Sequence, residues 1–176
     1  MSEMTGSDLS ARSAESAASP RLMGAAFDWL ARAQQEPRQA QQAWAEQGIA
    51  LLPLGTRFNT VCLPARLVHS AVGTDDLGSV TATLAELLNG PVIHNHPQHQ
   101  YYALVDCAPT LRWTREYGEA PMLGVGHFLT VPASDLRGPT GLYWAVLPRI
   151  VGDLCPVPSV AALVHIARSD ARGRQR

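Results

Sequence analysis

Apolar residues recur along the chain with two different spacings, and the spacing changes near residue 49. Before that point, apolar residues follow Pro20 at intervals of three and four, which predicts a helix over residues 20 to about 35. A second helix is predicted from Pro37 to about Gln47, with Gly48 as its C-terminal cap. Together these segments predict an N-terminal helical hairpin.

From residue 49 onward, short apolar runs closed by proline or glycine predict strands, and helical spacing returns in three segments. The predicted strands are 49–54, 58–63, 92–94, 100–105, 127–131 and 142–146. The predicted helices are 65–72, 79–88 and about 159–168. This order predicts an α+β fold, in which a mixed or antiparallel sheet is packed by helices on one side.

The two ends of the chain differ in composition from the middle. Residues 1–19 are rich in serine and alanine with few large apolar residues, which predicts a disordered leader. Residues 20–170 are predicted to form a single domain, because 46% hydrophobic and 16% charged residues is an ordinary globular composition. Residues 171–176 include three arginines and are predicted to form a flexible basic tail.

Charge and cysteine content narrow the class of protein. With 14 basic and 15 acidic residues the net charge is -1, so strong nucleic-acid binding is not expected. No apolar run is long enough to span a membrane and no signal-peptide pattern opens the chain, which predicts a cytoplasmic protein without membrane contact. The three cysteines form no C-x-x-C pair, which favours structural thiols over a disulfide framework.

Three short motifs between residues 44 and 144 are similar to those of one known family. They are a tryptophan and a glycine before the strand over 49–54, the run His99-Gln100-Tyr101-Tyr102, and residues 126–134 followed by Gly141-Leu142-Tyr143-Trp144. These motifs resemble the primase-polymerase domain of the archaeo-eukaryotic primase superfamily, in its short stand-alone actinobacterial form. The resemblance covers residues 44 to 146 and implies a primase-polymerase-like fold.

Departures from the family pattern lie at its metal-binding positions. Active members carry a D-x-D at the end of the strand represented here by residues 61–64, and a further aspartate before the last glycine hairpin. Cys62, Pro64 and Pro121 stand in those regions, and none of them offers the carboxylate oxygens that two-metal nucleotidyl transfer requires. Asp75 and Asp76 are adjacent and precede a predicted helix, which favours capping. The resemblance therefore implies a catalytically inactive binding or regulatory protein that needs no cofactor.

Candidate ligand contacts follow from the same resemblance. The family histidine at the position of His99 contacts nucleotide phosphates, so His99 is a candidate contact for a nucleotide or another anionic ligand, with Tyr101 as its neighbour. Arg57 and Arg112 are further candidates, because a guanidinium donates two hydrogen bonds at once to an oxyanion. The alternative is that His99 is a polar loop residue and that the tyrosines only pack.

Two other functions fit the sequence. His94 and His96 project to one face of an extended strand, and a returning His99 would complete three nitrogen ligands for Zn²⁺ or another divalent transition metal in a metal-dependent enzyme. His127 would strengthen that site if it came from a neighbouring strand. A polar turn without metal explains the same residues. The third function is a protein-interaction or homo-oligomeric scaffold, with an unknown protein partner and a vestigial groove.

Overall fold

Helices and strands alternate along the chain in the computed structural model, which describes residues 20–108 and 112–175. The helices are α1 (Pro20–Ala31), α2 (Pro37–Gln47), α3 (Ala65–Val72), α4 (Leu77–Leu88) and α5 (Val157–Arg174). The strands are β1 (Ile49–Pro53), β2 (Asn59–Pro64), β3 (Val92–Asn95), β4 (Gln100–Val105), β5 (Met122–Leu123), β6 (Phe128–Pro132) and β7 (Leu142–Val146). The predicted α+β class is confirmed. The predicted leader, residues 1–19, lies outside the described residues.

Helix ends follow local chemistry that the sequence predicted. Gly48 ends α2 with φ 76, and its N–H donates to the carbonyl of Trp44 at 3.1 Å. Asp76 caps α4, because its carboxylate accepts the N–H of Ser79 at 3.0 Å. α5 extends to Arg174, beyond the predicted end near residue 168. Residues 171–174, predicted to be a flexible tail, thus continue the helix, since they are alanine, arginine and one glycine without a proline to stop it.

The strands form two antiparallel sheets. Five of them pair in the order β5-β2-β4-β3-β7, and β1 pairs with β6 in a two-stranded ribbon. Every pairing among the described strands is antiparallel, so the antiparallel form of the predicted sheet is confirmed and the mixed form is not. In the centre, β2 and β4 run from the pair Asn59 and Val105 to the pair Pro64 and Gln100. These two pairs lie at opposite ends of the sheet.

Both faces of the five-stranded sheet are covered, whereas the sequence predicted helices on one side. Helices α3, α4 and α5 pack on the face that carries Val92 and Tyr101. The helical hairpin α1–α2 and the β1–β6 ribbon pack on the face that carries Ile93 and Leu104. Strands buried on both faces contain continuous apolar runs, and the run at the end of β4 is of this kind. The second layer arises from contacts between distant segments, which local spacing does not reveal.

Three aromatic side chains attach the N-terminal hairpin to the sheet. Phe27 on α1 makes edge contacts with Trp44 and Trp144, at centroid distances of 5.2 and 5.6 Å. The indole N–H groups of both tryptophans donate to carbonyls of β6, those of Val131 and Pro132, at 2.9 and 2.7 Å. The predicted helical hairpin is therefore confirmed and fixed to the ribbon. Within the described ranges, no helix is long and apolar enough to cross a membrane.

Candidate functional site

The end of the sheet at the β3–β4 hairpin holds a buried pair of aromatic rings. His94 on β3 is 2% exposed, and its imidazole stacks on the ring of Tyr101 on β4, with centroids 4.0 Å apart. The Nδ1 atom of His94 lies 2.7 Å from the hydroxyl oxygen of Tyr143 on β7, within hydrogen-bond distance. Three adjacent strands thus meet at one buried histidine, on the face covered by helices α3 to α5.

A second histidine extends this arrangement to α3. The Nε2 atom of His69 lies 3.4 Å from the hydroxyl oxygen of Tyr101. We call His69, His94, Tyr101 and Tyr143 the histidine–tyrosine cluster. Burial, together with the nearby His96, His69 and His99, lowers the pKa of His94 to about 4. Burial also lowers the pKa of His69, against the opposing charge of Asp75. The cluster therefore keeps His94 uncharged at neutral pH.

The other two histidines of the predicted metal site lie exposed in the hairpin turn. The His96 ring is 5.4 Å from that of His94 and 6.4 Å from that of His99. His127 precedes β6, whose strand partner is β1, so it does not join from a strand next to β3. Within residues 20–108 and 112–175, no group of three or more His, Cys, Asp or Glu side chains is arranged to hold a metal ion. The metal hypothesis thus stays a prediction that this geometry does not support.

His99 lies beside the start of α3. Its φ of 53 is left-handed, and its carbonyl accepts the N–H of Ala65 at 2.8 Å. We call the adjoining space of about 280 Å³ the hairpin cavity; its lining consists of Pro64, Ala65, Arg66, Gln98, His99 and Gln100. The N-cap residue of α3 is Pro64, which provides no side-chain hydrogen bond to the first turn. A helix N-terminus without a side-chain cap, a guanidinium and an imidazole therefore line one cavity.

Arg112 lies at the opposite end of the sheet from His99. It lines a cavity of about 710 Å³ together with Asn59, and Asn59 pairs with Val105 at the far end of β4. Five residue steps along β4 correspond to about 17 Å, so one small ligand does not reach both His99 and Arg112. Arg57 is exposed in the loop between β1 and β2 and lines neither of these two cavities. The structure therefore divides the predicted ligand residues among three places.

Several residues of the hairpin end were not identified from the sequence as site residues. Arg66 and His69 follow β2 directly on α3, and Tyr143 lies on a strand more than 40 residues from His94. A histidine on a short helix is a weak signal by itself. Only the antiparallel order β4-β3-β7 brings Tyr143 to His94, and sequence spacing does not contain that order.

Comparisons of the chain with known protein families, with functionally characterised proteins and with solved structures found no match. The fold defines the class, an α+β protein with helices and an antiparallel ribbon on the two faces of an antiparallel sheet.

Proposed function

We propose that this protein is a primase-polymerase-like binding or regulatory protein that takes a small oxyanion, such as a nucleotide phosphate, in the hairpin cavity and does not transfer nucleotidyl groups. One observation carries the proposal: Arg66 and His99 line the same cavity at the N-terminus of α3, which has no side-chain cap. Both side chains are exposed and can reach a ligand from solvent.

The chemistry of this cavity suits a negative charge. The first-turn N–H groups of a helix lack intrahelical partners, and the helix dipole places partial positive charge beside them. A guanidinium adds a fork of donors that matches phosphate or carboxylate. Among the described residues, the ion pairs within 4.0 Å involve only Arg149 and Arg168, so no carboxylate in these ranges forms an ion pair with Arg66. An anion would supply that partner.

The histidine–tyrosine cluster restrains the hairpin that carries His99. Tyr101 follows His99 by two residues on the hairpin, and its ring is held by His94 on one side and contacted by His69. The hydrogen bond from Ala65 to the His99 carbonyl ties the turn to α3. A turn fixed at these points presents His99 with little loss of conformational entropy on binding, which favours affinity. In this proposal Tyr101 positions the site and does not contact the ligand.

The sequence supports binding without nucleotidyl transfer. Cys62, Pro64 and Pro121 stand in the regions where active members of the resembled family carry metal-binding aspartates. A thiol with a pKa that burial raises to about 11, as in Cys62, stays neutral at physiological pH and does not replace a carboxylate. Anion binding by His99 and Arg66 needs none of these positions.

Thermal unfolding with inorganic phosphate and with ATP tests this function, because a ligand present at 100 times its dissociation constant stabilises the folded state by about 2.7 kcal/mol. We expect phosphate and ATP to raise the Tm of the unmodified chain, and Arg66→Ala and His99→Ala to remove most of the shift. Arg57→Ala is the matched control and should keep it. Equal shifts in all variants, or no shift with either ligand, would refute the proposal.

A protein-interaction role is the second candidate, and one surface favours it. On the outer face of the β1–β6 ribbon, Leu51 and Phe128 are 55% and 59% exposed and lie diagonally across the strand pair, with Ile49 beside them. An apolar face can pack on the same face of a second copy about a twofold axis, so the expected partner is a second copy of the chain. Sedimentation velocity should then show a dimer that Leu51→Glu dissociates, and a monomer at all concentrations would exclude this role.

A further inference from the structure

We infer that the cavity at the other end of the sheet is a second binding site, for a planar aromatic ring that carries an oxyanion. We call it the Arg112 cavity. Its volume of about 710 Å³ lies within the range of small-molecule sites, which run from roughly 300 to 1,000 Å³. It is separated from the hairpin cavity by the length of β4, so this inference does not depend on the proposed function.

Two arginine side chains lie at this cavity. Arg112 and Arg115 both line it and are both exposed. The ion pairs that the structure shows within residues 20–108 and 112–175 involve neither of them. Two arginines on one cavity, three residues apart in sequence, create a local positive potential despite the net charge of -1. An oxyanion is the ligand group that two guanidinium forks recognise, whether carboxylate or phosphate.

Trp113, which lies between the two arginines in the sequence, forms an aromatic wall of the cavity. The indole of Trp113 stacks on the ring of Tyr117, with centroids 4.2 Å apart and an interplanar angle of 21°. The indole N–H donates to the carbonyl of Ala120 at 2.7 Å, which fixes the ring plane. Trp113 is only partly buried and lines the cavity, so part of its surface remains open to a ligand. A fixed, partly open indole favours a planar ring, which stacks at small entropic cost.

The third feature is an amide on the cavity wall. Asn59 begins β2 and lines the cavity, and its buried Oδ1 atom accepts no hydrogen bond from any residue that the structure describes. Gly124 packs against this amide, and a Cβ atom at Gly124 would lie 3.1 Å from its nitrogen. This oxygen is closed to solvent, so it does not contact a ligand in the cavity. Recognition of the ligand therefore rests on the two guanidinium groups and the indole.

Isothermal titration calorimetry with three naphthalene probes tests the inference on the full chain. The first probe is 6-hydroxy-2-naphthoate, which presents a planar ring with a carboxylate. The second is 2-naphthyl phosphate, which presents the same ring with a phosphate, and the third is 2-naphthol, which lacks the anion. We expect one of the two anions to exceed 2-naphthol at least about tenfold in affinity, and the ratio of the two anion affinities identifies the preferred oxyanion.

Variants assign the binding to this cavity. Arg112→Ala and Arg115→Ala should each lower the affinity for the more tightly bound anion about three- to tenfold, since each removes charge-assisted hydrogen bonds at an exposed site. Asn59→Asp keeps the shape of the cavity wall but adds a negative charge, so it should lower the affinity for that anion further. Arg57→Ala is the control that should bind like the unmodified chain, because Arg57 lines neither this cavity nor the hairpin cavity.

Three results would overturn the inference. They are an absence of binding heat at millimolar concentrations of both anions, equal affinity for 2-naphthol, and unchanged affinity in both arginine variants. Arg112 and Arg115 are exposed, so their replacement should leave the fold intact, and an unchanged Tm of each variant verifies this.

Discussion

His94 and Tyr101 stack face to face across the β3–β4 pair, with ring centroids 4.0 Å apart and planes within 2° of each other. They are direct register partners in the antiparallel hairpin, so the strand pairing itself brings the two rings together. One further pair, Asn95 and Gln100, separates this stack from the turn that carries His99. The stack therefore couples the packing of the core to the geometry of the proposed anion site.

Stability should fall as the pH is lowered through the titration of histidine. Burial holds the folded-state pKa of His94 at about 4, while the unfolded chain has the ordinary value of 6.5. Between these values the unfolded state binds a proton that the folded state does not, so stability is fully present above about 6.5 and declines toward pH 4. The difference corresponds to a loss on the order of 3 kcal/mol. Urea unfolding measured from pH 7.5 to 4.5 checks this.

The control for this prediction separates His94 from the other titrating groups. In His94→Phe the loss of stability between pH 7 and 5 should be much smaller, with a remainder from His69, whose pKa burial also lowers. The exposed His127→Gln should behave like the unmodified chain. If His94→Phe keeps the full pH dependence, His94 is not the group that causes it.

The hydroxyl of Tyr143 should matter for stability through one hydrogen bond. It lies 2.7 Å from Nδ1 of His94, and both groups are buried. Tyr143→Phe leaves that nitrogen without its partner, which costs about 1–3 kcal/mol for a buried polar group. Guanidinium unfolding at pH 7.5 measures the difference. In the His94→Phe background the same change should cost far less, and equal costs in both backgrounds would contradict the bond.

Phe27 should contribute strongly to folding because it contacts both tryptophans that fix the N-terminal hairpin. Phe27→Ala removes these contacts from a side chain that is 8% exposed, and the expected loss is about 3–5 kcal/mol. Phe128→Ala is the matched control, since Phe128 is 59% exposed and should change stability by less than about 1 kcal/mol. Chemical unfolding followed by tryptophan fluorescence gives both values. Similar losses would show that the hairpin does not pack as described.

Two glycines should respond in opposite directions to alanine. A Cβ atom at Gly90 would lie 2.5 Å from the backbone nitrogen of Cys155, so Gly90→Ala should destabilise the fold by about 1–3 kcal/mol through overpacking. A Cβ atom at Gly24 on α1 meets nothing within 4 Å, so Gly24→Ala should stabilise it by about 0.5–1 kcal/mol. Thermal unfolding compares the two variants, and a neutral Gly90→Ala would contradict this close backbone approach.

Local patterns predicted most elements of this fold. Spacing and capping residues located α2 and its end at Gly48, and the short apolar run of β4 was predicted with the observed bounds. The two-residue strand β5 and the 3₁₀ turn over Arg115–Tyr117 were not predicted, because segments this short carry no periodic signal. The two-sided packing of the sheet was also missed, since it depends on contacts between distant segments.

The candidate site was predicted only in part, for the same physical reason. The sequence identified His94, His99 and Tyr101, which lie close together because one hairpin carries them. It also grouped Arg112 with His99, although the antiparallel strands place them at opposite ends of the sheet. Arg66 replaces it as the arginine beside His99. Residue type indicated the chemistry, but strand order determines which residues share a cavity.

Histidine side-chain NMR during a phosphate titration tests the central claim most directly. If an oxyanion binds in the hairpin cavity, the Hε1 resonance of His99 should shift with saturation as inorganic phosphate is added at constant pH and ionic strength. The resonance of the exposed His127 should not move, and Arg66→Ala should weaken the response of His99. A resonance of His99 that stays fixed, or that moves in parallel with that of His127, would contradict anion binding at this site.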